Sequence, residues 1–437
     1  MRSSKVSILL AVFMLLSACG VAGAEEPLPD LPTDRPLSLQ ECIEYALAHH
    51  NSVLAAESDL AGSKADVRRA RAGYMPRVTV GSSFARSGYE GQQVGTGVRR
   101  TGTFENQVNA VEVAQTLLDG GRTRTAIRQA SAMRRVADSD VQRIREERVL
   151  AVTTAYFDVL RARRLADIAA QSVAEAEEQR ELIQARIEGG DAARIDIYPV
   201  EVQLANAKLE KLQADNNARV AESSLRNEMG LPSGPDFRLA DVQEPSWEIS
   251  SLDECLACAL RERPEILRSI AQVDSAKAAL SLAKLQRLPV PAAAISYDRG
   301  LGGTGYERQW SVGVGLSMNV FDGGAAAAEV DGAKSSLDSV VLRGDQVNRD
   351  IAKEVEEAYL NLTSSFERLD ASKPSVELAQ KNLEVAREKY RQGLGIPLEI
   401  VSAQVSYADA QANHAEALYD CYVARAQLDK AMGKRGY

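Results

Sequence analysis

The cysteines are the residues best able to carry chemistry in this sequence of 437 residues. Cys255 and Cys258 form a C-x-x-C pair, a spacing that redox and zinc sites use. The pair lies in a helical pattern, with no second pair and no strand before it. This setting favours small buried residues on a helix face, or a disulfide with Cys42 or Cys421 in an oxidising compartment.

The three histidines, His49, His50 and His414, do not fall in an H-E-x-x-H motif, and the sequence contains no G-x-S-x-G motif. No nucleophile and base are placed at a spacing typical of a hydrolase. We therefore expect no enzymatic activity, no cofactor and no metal site.

One glycine-rich stretch, Gly300 to Gly305, matches the G-x-G-x-x-G pattern of dinucleotide sites. Such a site needs a helix directly after the glycines to meet the pyrophosphate. Here apolar residues alternate with small or polar ones instead, as in a β-strand. The apolar positions are Trp310, Val312, Val314, Leu316, Met318 and Val320. We therefore interpret the glycines as a hairpin tip.

Composition narrows the class of protein. Aromatic residues make up only 5% of the chain, which favours helices packed on helices over a bulky globular core. The formal net charge is −9, whereas nucleic-acid binding needs a basic face. We expect no nucleic-acid partner.

The N-terminus has the pattern of an export signal. Arg2 and Lys5 precede a short apolar run that ends at Leu16. Leu16-Ser17-Ala18-Cys19 resembles a bacterial lipobox, which predicts a signal peptide at 1–18 and lipid attachment at Cys19. The alternative is cleavage after Ala24, with a signal peptide at 1–24. An N-terminal extension at 25–37 follows.

No later stretch reaches the roughly 20 apolar residues of a membrane helix. If the mature chain crosses a membrane, it must do so with β-strands closed into a barrel. This points to an outer membrane.

The chain is an internal duplication. Ser38-Leu39-Gln40-Glu41-Cys42 recurs 213 residues later as Ser251-Leu252-Asp253-Glu254-Cys255. Leu118-Asp119-Gly120-Gly121 recurs 203 residues later as Phe321-Asp322-Gly323-Gly324, and the remaining matches keep that offset. The first copy is therefore longer before this turn, where we expect an exposed loop.

Each copy predicts two strands followed by a long helix and a return helix. The first repeat, 38–230, has strands at 77–85 and 108–117, a long helix at 123–188 and a return helix at 195–229. A linker, 231–250, leads to the second repeat, 251–433. There we predict strands at 292–298 and 309–320, a long helix at 325–391 and a return helix at 397–432.

The long helices need partners along their whole length. About 66 residues at 1.5 Å each give roughly 100 Å, too long for one globular core to cover. The return helix and the helix that precedes the strands together approach this length. Two shorter helices stacked end to end are therefore expected to pair with each long one, in coiled-coil fashion.

This ordered set of signals, present twice, resembles the TolC family of outer-membrane efflux and secretion proteins over essentially the whole mature chain. Tyr74-Met75-Pro76 looks like the family's helix-to-strand junction, and the two D-G-G turns look like its strand-to-helix turn. The resemblance implies a mainly α fold with a membrane β-barrel contribution. A homotrimer would form a 12-strand barrel and a periplasmic α-helical tunnel.

The resemblance also implies partners. The family docks the helix turns at the far end of the tunnel onto a periplasmic adaptor and an inner-membrane transporter, while outer-membrane lipid surrounds the barrel. The residues that would support adaptor contact lie at the two turns: Gly190, Ile195, Ile197, Gly393, Leu398 and Ile400. Alternatively, these turns are self-contained, with their aliphatic residues buried.

Three residues match the family's periplasmic gate: Glu399, Tyr390 and Asp196. Three copies of Glu399 around one axis would form a ring that repels anions. A second family carboxylate falls on Ser402 and a family arginine on Gly395, so the ring and the closed state differ here. Alternatively, Asp196 and Glu399 are acids favoured at helix N-termini.

The function implied is an outer-membrane exit duct of a tripartite efflux pump or a type I secretion system. A periplasmic coiled-coil adaptor without a pore is the alternative. It would explain the helices and the export signal, but not two paired-strand segments of membrane-spanning length.

Overall fold

The computed structural model describes residues 35–92, 99–231, 237–242, 245, 247, 250–302 and 305–434. Both proposed signal-peptide cleavage sites and Cys19 lie outside these residues. Within them, no helix combines the length and apolar character needed to cross a membrane.

The two repeats contain the same elements in the same order. In the first repeat these are α1 (Leu39–His49), α2 (Asn51–Arg71), β1 (Arg77–Gln92), β2 (Arg99–Thr116), α3 (Arg122–Gly189) and α4 (Ile197–Met229). In the second they are α5 (Leu252–Glu262), α6 (Pro264–Leu285), β3 (Val290–Gly302), β4 (Gly305–Ser317), α7 (Ala325–Arg391) and α8 (Pro397–Ala431).

Both repeats open with the same helix cap. The Ser38 side chain accepts a hydrogen bond from the Glu41 backbone, and the Glu41 carboxylate accepts one from Ser38 in return. Ser251 and Glu254 form the same capping box at the start of α5. The repeated sequence therefore begins each copy by fixing a helix N-terminus.

The D-G-G turns start the long helices. Gly120 and Gly121 have φ angles of 62° and 89°, which favour glycine. The Asp119 carboxylate accepts hydrogen bonds from the backbone of Gly121 and Thr123, and so caps α3. Asp322 does the same for α7.

The long helices pair with stacked shorter ones, as expected. α3 packs against α2 and α6 in the half that adjoins the sheet, and against α4 and α8 in the other half. α7 packs against α6 and then α8. The two halves therefore have the lateral orders α2–α3–α6–α7 and α4–α3–α8–α7.

The strands form one antiparallel sheet in the order β1-β2-β3-β4. All four strands extend closer to the hairpin tips than the sequence predicted. Pairing continues through the glycine-rich stretches, for example at Gly88↔Thr103 and Gly302↔Gly305. The second G-x-G-x-x-G glycine ends β3 and the third begins β4, so this stretch is a hairpin.

The four described cysteines are free thiols, so the disulfide alternative is wrong. Cys42, Cys255 and Cys421 are buried in helix packing, as small apolar residues would be. Burial raises the pKa of the Cys42 thiol to about 12, which leaves it unreactive.

Candidate functional site

The two helical hairpins end in turns that depend on glycine. Gly190, which follows α3, has a φ angle of 83°, and Gly393, which follows α7, has a φ angle of 76°. Both glycines are exposed. Each turn then leads directly into the return helix of its repeat.

A compact apolar cluster joins the two hairpins near these turns. Its buried members are Ile183, Val200, Leu383, Ala386, Tyr390, Ile400, Val401 and Ala403, with Ile197 partly buried against them. The first hairpin contributes Ile183 and Val200, and the second contributes the remaining buried members. The tips therefore pack on each other within one chain.

The structure separates the residues proposed for adaptor contact into two groups. Ile195 is 71% exposed and Leu398 is 57% exposed, so both are available to a partner. Ile400 is 1% exposed and lies in the shared cluster, as the self-contained-turn interpretation expects.

Tyr390 is buried between the hairpins rather than exposed. Its ring lies under the guanidinium of Arg186, 4.7 Å from the ring centroid. Its hydroxyl is buried and has no hydrogen-bond partner among the described residues. The sequence identified this tyrosine but not its environment.

Arg186 also holds the backbone at the end of α7. It donates hydrogen bonds to the carbonyl oxygens of Tyr390 (2.8 Å) and Arg391 (3.2 Å). Cations are favoured at a helix C-terminus, where carbonyl groups lack helical partners. One side chain from α3 therefore fixes both the ring and the backbone at the tip of the second hairpin.

A second contact lies further along the same two helices. Arg387 of α7 donates to the Glu175 carboxylate of α3 at 2.9 Å. In the half of the molecule away from the sheet, α3 packs against α8, which lies between α3 and α7. These two arginine contacts therefore occur where α7 approaches α3 at the hairpin tips.

The acidic residues occupy helix starts. Glu399 is exposed in the first turn of α8, with its carboxylate beside Gly395: a Cβ at that glycine would lie 3.3 Å from Glu399 Oε2. The Asp196 carboxylate accepts a hydrogen bond from the Ala193 backbone at 3.2 Å. Both positions suit the helix dipole, while the exposure of Glu399 leaves its charge available.

Sequence reasoning missed Arg186, Arg387 and Glu175. Each stands in a helix that carries many arginines and glutamates, and no motif marks it. The one signal in the sequence was negative, because the arginine that the resemblance implies falls on Gly395.

Comparisons with known proteins agree with this architecture. The model of the family described as outer membrane efflux protein matches residues 42–231 and 256–434. The outer membrane efflux protein BepC of Brucella suis is 25% identical, with 84% of this chain and 79% of that protein covered. The outer membrane protein TolC of Escherichia coli is 22% identical, with 87% and 78% covered.

Solved structures show the same fold. The outer-membrane channel OprN superposes with a TM-score of 0.77 at 21% identity, covering 91% of this chain and 90% of that one. The predicted fold class is confirmed. The comparisons support the exit duct and not the pore-free adaptor. The chain thus belongs to the outer membrane efflux protein family, a family of outer-membrane channels rather than enzymes.

Proposed function

We propose that three copies of this outer-membrane protein close around a common axis to form an exit duct, with the helices in the periplasm. A single chain has free edges that support this arrangement. β1 and β4 are the outer strands of the sheet, and α4 and α7 are the outer helices of the layer furthest from it. Unpaired strand edges are avoided in a membrane by closure.

An apolar stripe on α4 is the observation that carries the proposal. Its large residues recur at helical spacing yet are about 60% exposed in one chain: Tyr198, Val202, Leu209, Leu212 and Val220. The repeat offset of 203 relates Tyr198 to Val401 and Leu212 to Ala415. Those equivalents on α8 are buried against neighbouring helices. The stripe therefore marks a missing helix neighbour.

α7 carries the matching surface. Leu360 is 58% exposed, whereas its equivalent Phe157 on α3 is 3% exposed and contacts Tyr419 and Tyr422 of α8. Packing of α7 against α4 of the next copy would repeat the α3–α8 contact inside the chain. Successive copies then form a closed ring instead of an open layer.

The sheet has one apolar and one polar face. Val80, Val111, Tyr297 and Trp310 occupy one cross-strand row and point to the same side. The neighbouring row, on the opposite face, contains Thr79, Glu112, Ser296 and Ser311. Twelve strands from three copies would form a barrel with a lipid-facing exterior and a polar lumen.

Cross-linking tests the ring. Arg161 on α3 donates to Asp420 on α8 at 3.0 Å within one chain, and the offset maps this pair to Ser364 on α7 and Asn217 on α4. In a Cys258→Ser background, Ser364→Cys combined with Asn217→Cys should give covalent trimers with a short bis-maleimide. Each single variant should not. If the double variant in membranes gives monomer and no covalent trimer, the proposal is contradicted.

The gate belongs to the same proposal. Arg186 holds α7 against α3 and so keeps the periplasmic end closed, while three copies of Glu399, supported by Asp196, place negative charge around the entrance. The exposed residues Ile195 and Leu398 contact a periplasmic adaptor. Through that adaptor the duct receives substrate from an inner-membrane transporter, in a tripartite efflux pump or a type I secretion system.

A further inference from the structure

The second hairpin of the sheet carries two arginines that face each other across adjacent strands. Arg299 on β3 pairs in register with Arg308 on β4, and both side chains are exposed. Like charges directly opposite each other destabilise a sheet unless an anion lies between them. Within the described residues, neither arginine takes part in an ion pair.

These arginines lie just above the apolar band. The exposed band on β4 and the residues after it runs from Val320 up to Trp310, and Arg308 is the next residue on that face. Ten residues at about 3.3 Å, tilted by about 40°, rise about 25 Å, the height of the apolar band on outer-membrane barrels.

On β3 and β4 an aromatic pair lies at the end of the band that faces the hairpin tips. Trp310 pairs with Tyr297, and such residues favour the interface between hydrocarbon and headgroups. The strand tips point away from the helices, which lie in the periplasm, so this interface belongs to the outer leaflet. The row above it therefore sits at the depth of lipid headgroups.

We infer that Arg299 and Arg308 together bind a phosphate monoester on the headgroup of an outer-leaflet glycolipid; the inference rests on the proposed placement of the sheet in the outer membrane. Guanidinium groups bind phosphate oxygens in bidentate fashion. A monoester carries close to two negative charges at neutral pH, which matches two facing cations better than a singly charged phosphodiester.

The rest of the row is polar and suits a sugar headgroup. Asn109 pairs with Arg299 and donates to its carbonyl oxygen at 3.4 Å, and Ser82 donates to Asn109 at 2.8 Å. Neither residue supplies a negative charge to the arginines. Two rows further out on the same face, Arg86 on β1 pairs in register with position 105 on β2, which is a glutamate.

Native mass spectrometry of the full-length protein tests the site with three lipids: phosphorylated lipid A, the same lipid dephosphorylated, and phosphatidylglycerol. We expect the wild-type protein to bind phosphorylated lipid A at least about tenfold more tightly than either of the others, a difference of about 1.4 kcal/mol. Similar affinity for dephosphorylated lipid A, or for phosphatidylglycerol, would overturn the monoester assignment without any variant.

Two matched variants locate the site. Arg299→Gln combined with Arg308→Gln should abolish the preference for phosphorylated lipid A, whereas Arg86→Gln, a charge loss on the same face, should keep it. An unchanged preference in the double variant would overturn the inference. Trimer migration on unheated gels is measured in parallel, because a wild-type protein that is never trimeric contradicts the proposed duct instead.

The neighbouring copy offers one rival counter-ion. If the ring closes in the register of the repeat, β4 pairs with β1 of the next copy and position 90, a glutamate, falls opposite Arg308. Arg299 has no such neighbour. Glu90→Gln should therefore leave lipid A binding intact or tighter, and lipid binding that appears only in this variant would overturn the inference for the natural protein.

Discussion

Arg186 is the side chain that we propose holds the hairpin tips in a closed state. It contributes a cation–π contact worth about 0.5–2 kcal/mol and hydrogen bonds from a charged donor worth about 1.5–3 kcal/mol each in sheltered sites. Because Arg186 is half-buried, screening by solvent reduces the combined free energy of these contacts. The arginine that the family resemblance implies is a glycine here, Gly395, and we propose that the Arg186 contacts act in its place.

Arg186→Gln should open the periplasmic end more often. Removal of the guanidinium frees the end of α7 while the apolar cluster remains, so we expect a several-fold rise in mean conductance in planar bilayers. Arg391→Gln is the control, because among the described residues that exposed side chain forms an ion pair only with Glu388 on its own helix. A trimeric Arg186→Gln protein with wild-type conductance would show that the Arg186 contacts do not hold the periplasmic end closed.

Glu354 links stability to pH. Burial raises the pKa of this carboxyl, but hydrogen bonds from Arg263 and Lys430 outweigh burial and hold the pKa below its ordinary value. Because the pKa is lower in the folded state, the ionised carboxylate stabilises the fold at pH values above the ordinary glutamate pKa of about 4.5. This contribution is lost as pH falls through the lowered value.

The melting temperature should therefore fall below pH 4.5 more steeply in the wild-type protein than in Glu354→Gln. Glu357→Gln, an exposed position on the same helix, serves as the comparison and should melt like the wild type at every pH. If the melting temperatures of the wild type and Glu354→Gln fall equally between pH 5 and pH 3, Glu354 does not contribute this pH-dependent stability.

At the scale of elements, one arginine joins the two repeats where helices meet the sheet. Arg122, at the start of α3, donates to the carbonyl oxygens of Leu285, Gln286 and Leu288 at the end of α6. Its repeat equivalent is Ala325, which has no such side chain. Arg122 therefore caps the end of α6 within a chain, whereas α7 has no equivalent arginine at its start.

Arg122→Ala should destabilise this junction by about 1–3 kcal/mol, because carbonyl groups at the end of α6 lose a charged donor. Thermal unfolding of the purified protein measures the effect, with Arg124→Ala, an exposed position two residues further along the same helix, as the control. Equal melting temperatures for the two variants would show that the cap adds no stability.

Most elements were predictable because the duplication supplied each signal twice. The D-G-G turns and the glycines after the long helices all lie where the sequence placed them. The strand ends lie closer to the hairpin tips than the sequence predicted, because Gly88 and Gly302 resemble loop residues when only their neighbours in sequence are considered. Their pairing is decided by the opposite strand, which no local pattern reports.

The candidate site was predictable only in part. Tyr390 and Glu399 were found from a family pattern, but the burial of Tyr390 depends on α3, some 200 residues away in the chain. In the sequence, Ile195 and Ile400 were equally good candidates for adaptor contact, because both are apolar residues near a turn. Only the packing of one hairpin on the other places Ile400 inside and Ile195 outside.

For the whole molecule, the duplication explains how one chain is prepared for assembly. Contacts made once inside the chain, between α3 and α8, have unfilled equivalents on its outer helices α7 and α4. The same relation holds for the outer strands of the sheet. A ring of three copies would satisfy both sets of edges with a single type of interface.

Planar-bilayer recording from the purified protein tests the duct most directly. We predict stepwise, cation-selective conductance, with the selectivity reduced in Glu399→Gln and increased in Ser402→Asp, which restores a second carboxylate one helical turn further along. Protein that migrates as a heat-modifiable trimer but gives no conductance steps would contradict the account.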